Sequence, residues 1–338
     1  MLKNHHVFSF YTQNTGKIVK HKNNLFCRSI RYKKIALSVA LLISLLISNV
    51  AMANDDGNSA PIAAFDFAIA ETLTAIGHPS GFLSGLTEYE RYLRLDGIIS
   101  DATNLGGRRF PNFELLASLS LQHILISPPF HANLVPRLRE IADVKEYPIY
   151  NFSDSDNGHN HWEIVEELTR QLGILVNDPV ASEHYIKQTN HHFDNLKSQL
   201  NSINSSLLIV RLVDDRHARV FGKGSVEGMV LSRLGLKNAW QNDMGQWGMT
   251  AVSASSLFKT DAKIIFIESS YDRVGGRRQL LSDGQWRHLP SVKQDNYVIL
   301  PLNYWHWGGF PSALRFAEAL VEALEAPAEP QPVGTSHH

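Results

Sequence analysis

The stretch Pro179-Val180-Ala181-Ser182-Glu183-His184-Tyr185-Ile186-Lys187-Gln188-Thr189-Asn190-His191-His192-Phe193-Asp194-Asn195-Leu196-Lys197-Ser198-Gln199-Leu200 decides the architecture. Proline is tolerated in a helix's first turn, where its missing N–H has no intrahelical partner, and Tyr185, Phe193, Leu196 and Leu200 then recur at helical spacing. A helix of about 22 residues spans about 33 Å, a whole domain diameter. Its natural use is a rigid strut between two lobes.

On its N-terminal side, Trp162–Leu172 places Val165, Leu168 and Leu172 on one face of another helix. Further back, Ile62–Phe65 reads as extended, Ala68–Ile76 as helical, Ile124–Ser127 as extended, Leu134–Ile141 as helical and Pro148–Phe152 as extended. That alternation predicts an α/β unit with a mainly parallel sheet. Ser153-Asp154-Ser155-Asp156-Asn157-Gly158 closes it with turn-forming residues. Beyond the strut a second α/β unit restarts at Leu207–Val210. It continues through Ala218–Phe221, a helix Val226–Leu234, strands Lys263–Ile267 and Tyr297–Leu300, and a helix Ser312–Leu324. The chain therefore divides into an extension and signal peptide (1–53), a first lobe (54–158), linking helices (159–204), a second lobe (205–325) and a disordered tail (326–338).

The formal net charge of the 338 residues is -1, but the first 53 hold 8 of the 32 Lys+Arg and none of the 33 Asp+Glu. Without them 24 basic residues face 33 acidic ones, a charge of -9, which argues against a nucleic-acid partner. Arg31, Lys33 and Lys34 precede the apolar run Ile35–Ile47, and Ala51-Met52-Ala53 follows it. This is a signal peptide with cleavage expected after Ala53, since a core of about 13 residues falls short of the roughly 20 that span a bilayer. The single cysteine, Cys27, is removed with it, so the mature chain has no disulfide, no thiolate metal site and no lipid attachment point. A soluble periplasmic protein is expected.

Catalytic motifs are absent: there is no G-x-x-x-x-G-K-[ST] loop and no G-x-S-x-G elbow, and Phe221-Gly222-Lys223-Gly224-Ser225 reads as a strand-to-helix turn. Ser84, Ser127 and Ser225 have no recognisable base partner. His159-Asn160-His161 and His191-His192 fall in the polar linker and on a helix surface, without carboxylates at metal-ligand spacing. Asp214-Asp215 and Glu166-Glu167 are adjacent in sequence and point in different directions, so they do not converge as an acid/base pair, and the remaining acids read as solubility charge. Ligand-facing candidates are the loop aromatics Trp247, Trp305 and Trp307, beside glycine or histidine, and Arg108 and Arg109, just before Pro111-Asn112 at an expected helix start.

Several ordered segments carry a resemblance: Ala64-Phe65-Asp66-Phe67-Ala68-Ile69-Ala70-Glu71-Thr72-Leu73, Pro111-Asn112-Phe113-Glu114-Leu115-Leu116, Asp214-Asp215-Arg216-His217-Ala218-Arg219-Val220-Phe221-Gly222, Asn238-Ala239-Trp240-Gln241, Trp247-Gly248-Met249-Thr250-Ala251-Val252-Ser253 and Leu289-Pro290. In these the chain resembles the periplasmic ferric-hydroxamate (ferrichrome-type) siderophore-binding proteins of ABC importers. The resemblance implies a class III binding-protein fold, α/β with two α/β lobes joined by one long helix. It also implies capture of a ferric siderophore for delivery to an inner-membrane ABC permease with its cytoplasmic ATPase. Neither catalysis, nor a cofactor, nor a protein ligand to the iron is implied, and the protein is expected to act as a monomer. The family's hydroxamate-binding arginine falls on Arg108, its aromatic cradle on Tyr92, Phe130, Trp247, Trp305 and Trp307, and an exposed acid that docks the permease on Glu227.

Three departures bear on the ligand. Phe130 and Trp307 stand where the family often has tyrosine, and Arg211 occupies a position that is small and polar in the ferrichrome binder. With Arg273, Arg277 and Arg278 nearby in sequence, Arg211 suggests a more anionic ligand, a mixed hydroxamate and carboxylate siderophore. The alternatives are an exported siderophore hydrolase on the same scaffold, or a binding protein for haem, cobalamin or zinc. Haem or zinc would ask for a ligand such as His306.

Overall fold

The computed structural model describes residues 61–93, 102–150, 160–200, 205–242, 244–245, 247–268 and 284–325, with only the backbone described for 91–93. The signal peptide with Cys27, the 153–158 turn, His159, Arg273, Arg277, Arg278 and the tail from Ala326 lie outside the described residues.

Strands β1 (Ile62–Ala64), β2 (Phe82–Leu83), β3 (Thr103–Asn104), β6 (His123–Ile126) and β7 (Asp143–Glu146) form an all-parallel sheet in the order β3-β2-β1-β6-β7, and β4 (Gly106–Gly107) pairs with β5 (Phe110–Pro111) in a separate hairpin. Helices α1 (Phe67–Ala75), α2 (Leu86–Leu93), α3 (Phe113–Ser118) and α4 (Val135–Leu138) connect them. The expected strand at Pro148–Phe152 is instead β7, ending at Glu146. As the sheet's edge it presents Asp143, Lys145 and Glu146 to solvent and lacks an apolar signal. The expected helix Leu134–Ile141 is a 3₁₀ turn over Ala132–Leu134 followed by only the four residues of α4.

Strands β8 (Leu207–Leu212), β9 (His217–Phe221), β10 (Met249–Ser253), β11 (Lys263–Ile267) and β12 (Tyr297–Leu300) form a second sheet, order β10-β9-β8-β11-β12. β8, β11 and β12 are parallel, while β9 and β10 are antiparallel to their neighbours. Helices α7 (Val226–Leu234), α8 (Ala254–Leu257), α9 (Pro290–Lys293) and α10 (Phe310–Glu325) belong to this half. Alternation along β8 sends Leu207 and Ile209 to one core and Leu208, Val210 and Leu212 to the other, as the two-residue period of a strand requires.

Between the sheets run α5 (His161–Leu175) and α6 (Pro179–Gln199). Asn160 and Glu163 form a capping box on α5, and Asp178 caps α6 with Pro179 in its first turn. The two pack as an antiparallel pair, with Arg170 Nε 2.8 Å from Glu183 Oε1. Leu168 and Leu172 join the core of the first sheet, whereas Val165, Ile186, Phe193 and Leu196 join that of the second, and Tyr185 packs against both. The helical pair stitches the two cores together.

Candidate functional site

Asp66 begins the site. As the N-cap of α1 its Oδ1 accepts the Ala68 N–H at 2.9 Å, which fixes the carboxylate at the end of β1. Its Oδ2 accepts from Arg108 Nη2 at 3.1 Å and from the Tyr150 hydroxyl. Arg108 sits between β4 and β5, not at a helix start as expected: Asn112 caps α3 with its own side chain, and the arginine is turned inward to Asp66. Gly85 makes room for it, because a Cβ there would come within 2.4 Å of Arg108 Cγ. Arg108 is 6% exposed, and its guanidinium carbon lies 4.5 Å from the Phe67 ring centroid, 4.4 Å from Phe130 and 5.1 Å from Trp305. Among the described residues its buried Nε–H has no hydrogen-bond partner.

Burial, followed by the Asp66 charge, pushes the Tyr150 phenol well above its ordinary pKa, so it stays protonated. His131 is fully buried beside Phe130, with Nδ1 accepting the Ser127 N–H at 3.3 Å. Burial lowers its pKa to about 4 despite the nearby Asp66 charge, which leaves the imidazole neutral.

Arg108, Arg109, Phe130, Tyr150, Trp247, Met249 and Trp307 line a cavity of about 210 Å³. Trp247 meets Tyr150 at 5.7 Å and Trp307 at 6.2 Å, both edge-on, and Trp307 Nε1 donates to the Trp247 carbonyl at 2.9 Å. Gly248, at φ 65°, holds this segment against Gly224, where a Cβ would lie 2.1 Å from the Gly224 carbonyl carbon.

Of the residues singled out in the sequence, Arg108, Arg109, Phe130, Trp247 and Trp307 come together around the cavity. Trp305 is 7% exposed and stands behind it, edge-on to Phe67 and Trp307. Tyr92 is in the last turns of α2, but its side chain is outside the described residues. Arg211, on β8, is not among the lining residues; its Nη1 is 3.4 Å from His306 Nε2. Glu227 is not an exposed docking acid: it is 0% exposed, accepting from the Tyr304 hydroxyl at 2.8 Å and bonded to His306 Nδ1. Asp66, Glu71 and Glu227 overturn the reading of the acids as solubility charge, since each is buried and held by donors. His161 likewise opens α5 rather than lying in a linker, its Nδ1 3.2 Å from the Ser225 carbonyl. Sequence reasoning missed Asp66, Tyr150, Met249 and His131. Only Asp66 carries a local signal, an Asp just before a helical run.

Among the described residues no group of three or more His, Cys, Asp or Glu could hold a metal ion, and no helix is long and apolar enough to cross a membrane.

The periplasmic binding protein family matches residues 62–304, and the chain belongs to that family. It is 25% identical over 265 residues to the iron(3+)-hydroxamate-binding protein FhuD of Escherichia coli (strain K12), covering 78% of this chain and 86% of that protein. Its fold is shared with the Fe3+-Desferal-bound siderophore-binding protein FhuD from Vibrio cholerae, at a TM-score of 0.70, 20% identity and coverage of 79% and 98%. It is also shared with the petrobactin-binding protein YclQ from Bacillus subtilis, at a TM-score of 0.62, 18% identity and coverage of 79% and 92%.

Proposed function

We propose that the protein captures a ferric siderophore in the periplasm and hands it to an inner-membrane ABC permease, as a monomeric binding protein rather than an enzyme. The observation that carries this reading is a cavity in which the buried Arg108 and the exposed Arg109 stand among Phe130, Tyr150, Trp247, Met249 and Trp307. A ferric siderophore satisfies its iron with its own oxygens, so the protein supplies no metal ligand. It reads an outer surface that is part apolar and part polarised oxygen, for which aromatic rings and one arginine are the matching chemistry. The cavity is smaller than the roughly 300–1,000 Å³ that engulfs a drug-sized ligand, which suits a grip on one face of a larger complex.

The hydrolase alternative is disfavoured by the serines. Ser84 Oγ donates to the Gly107 carbonyl, Ser225 Oγ donates to Gly222 and accepts from Gly228 to cap α7, and Ser127 is fully buried. Haem or zinc ligation by His306 is disfavoured because that ring is 3% exposed, bonded to Glu227 and stacked on Phe221 at 4.5 Å. The test is the visible spectrum of protein purified from iron-starved cells, followed by tryptophan-fluorescence titration with ferric desferrioxamine B. A broad orange charge-transfer band with saturable quenching is expected; a Soret band, or no binding of any ferric siderophore, would remove the reading.

A further inference from the structure

We infer that Arg109 sets the charge preference of this cavity, selecting ferric siderophores that carry a peripheral carboxylate over neutral or cationic ones. The inference rests on the ferric-siderophore reading above. Arg108 and Arg109 are the charged side chains lining the cavity among the described residues, and their surroundings differ. Arg108 meets the buried Asp66 carboxylate at 3.1 Å, so that pair adds no net charge. Arg109 is exposed and makes no ion pair or hydrogen bond among the described residues. Its guanidinium carbon lies 4.6 Å from the Phe130 ring centroid, the same ring that Arg108 approaches at 4.4 Å.

That arrangement points to a ligand role. Phe130 gives the guanidinium an apolar surface to rest on, and a guanidinium held against a ring keeps its planar fork of N–H donors free for a carboxylate. No carboxylate lines the cavity among the described residues, so the local charge is the +1 of Arg109. At about 0.1 M salt the screening length is about 10 Å, long enough for this charge to act across the cavity. A peripheral carboxylate is attracted, an ammonium is repelled without compensation, and a neutral group is indifferent. Arg211, against His306 and outside the lining, is not needed for the preference.

The test uses one iron-binding core with three end groups: ferric desferrioxamine B, which ends in an ammonium, its neutral N-acetyl derivative and its N-succinyl derivative, which ends in a carboxylate. Dissociation constants are measured by tryptophan quenching for the wild-type protein, Arg109→Gln and Arg109→Lys. The wild type is expected to bind in the order succinyl, acetyl, ammonium, over a span of about tenfold, as for one charge interaction at a partly exposed site. The span should fall below about twofold in Arg109→Gln, persist in Arg109→Lys, and shrink in about 1 M salt, where the screening length is about 3 Å. Equal wild-type affinities, an unchanged order in Arg109→Gln, or a lost order in Arg109→Lys would overturn the role of Arg109 and leave the siderophore reading standing. Failure of all three complexes to bind the wild type would overturn both.

Discussion

Oε2 of Glu71, in α1, lies 2.7 Å from Nη2 of Arg315, in α10, and so ties the first helix of the N-terminal half to the last helix of the C-terminal half. The same carboxylate accepts from the Gly309 N–H at 2.7 Å and the Ser312 hydroxyl at 2.8 Å. Burial pushes Glu71 above the ordinary carboxylate range, with the Arg315 charge pulling it back. Removing one partner of such a pair leaves an uncompensated buried group, so Glu71→Ala and Arg315→Met should each cost about 3–5 kcal/mol in urea unfolding. Combining Glu71→Gln with Arg315→Met should recover most of that, because the amide still accepts from Gly309 and Ser312 without a buried charge. Gly309 is two residues from Trp307, so Glu71→Ala should also weaken ligand binding. A double variant as unstable as the singles would show that charge is not what the pair supplies.

Arg108 has two partners, Asp66 in the protein and the proposed ligand, and the two roles separate experimentally. Arg108→Met alone should lose about 3–5 kcal/mol of stability, because Asp66 is then buried and unpaired. Adding Asp66→Asn removes that charge and keeps the α1 cap, so the fold should largely recover. Binding should not: a loss of about 1.5–3 kcal/mol is expected for a charged hydrogen bond, measured by fluorescence titration of the double variant. Wild-type affinity in that variant would take Arg108 out of the ligand site.

What the residues disclose depends on how local the cause is. Lys263–Ile267 and Tyr297–Leu300 are legible as strands because apolar, largely β-branched runs carry their own signal, and Val226–Leu234 is legible because Ser225 caps it and Gly235, at φ 75°, ends it. β7 is not, since an edge strand of Asp143, Val144, Lys145 and Glu146 has no apolar period to read. The site divides in the same way. Trp247 and Trp307 are legible as loop aromatics beside glycine or histidine and Phe130 is reached through the resemblance, but Asp66 finds Arg108 42 residues away and Tyr150 84 residues away, pairings that only tertiary structure makes. Glu227 misleads because an acid in a helix's first turn ordinarily faces solvent, where it complements the helix dipole. Here Tyr304 and His306 enclose it.

Trp247 and Trp305 should respond differently to truncation. Trp305 is 7% exposed and packed at 5.0 Å from both Phe67 and Trp307, so Trp305→Ala should cost about 3–5 kcal/mol of stability. Trp247 is half-buried at the cavity wall, and the carbonyl that receives Trp307 Nε1 belongs to its backbone and survives the substitution. Trp247→Ala should therefore weaken ferric-siderophore binding with a smaller stability loss than Trp305→Ala. Paired urea unfolding and ligand titration decide the matter; a Trp247→Ala protein with intact affinity would make that ring a structural element only.

His131 makes the fold acid-sensitive in a predictable window. In the folded protein its ring takes up a proton only near its lowered pKa of about 4, because it is buried between Phe65 and Phe130. In the unfolded chain it does so near the ordinary value of about 6.5. Between those values the unfolded state binds more protons, so His131 contributes stability in full above about pH 6.5. That contribution declines as the pH falls toward about 4 and is gone below it. It amounts to about 3 kcal/mol if the whole shift is realised. Other carboxyl groups titrate in the same range, so the measurement is the difference between the wild type and His131→Gln in urea unfolding at pH 7.5, 6, 5 and 4. The wild type should lose stability more steeply than the variant through this window. Parallel curves for the two proteins would show that the buried imidazole is not what acid attacks.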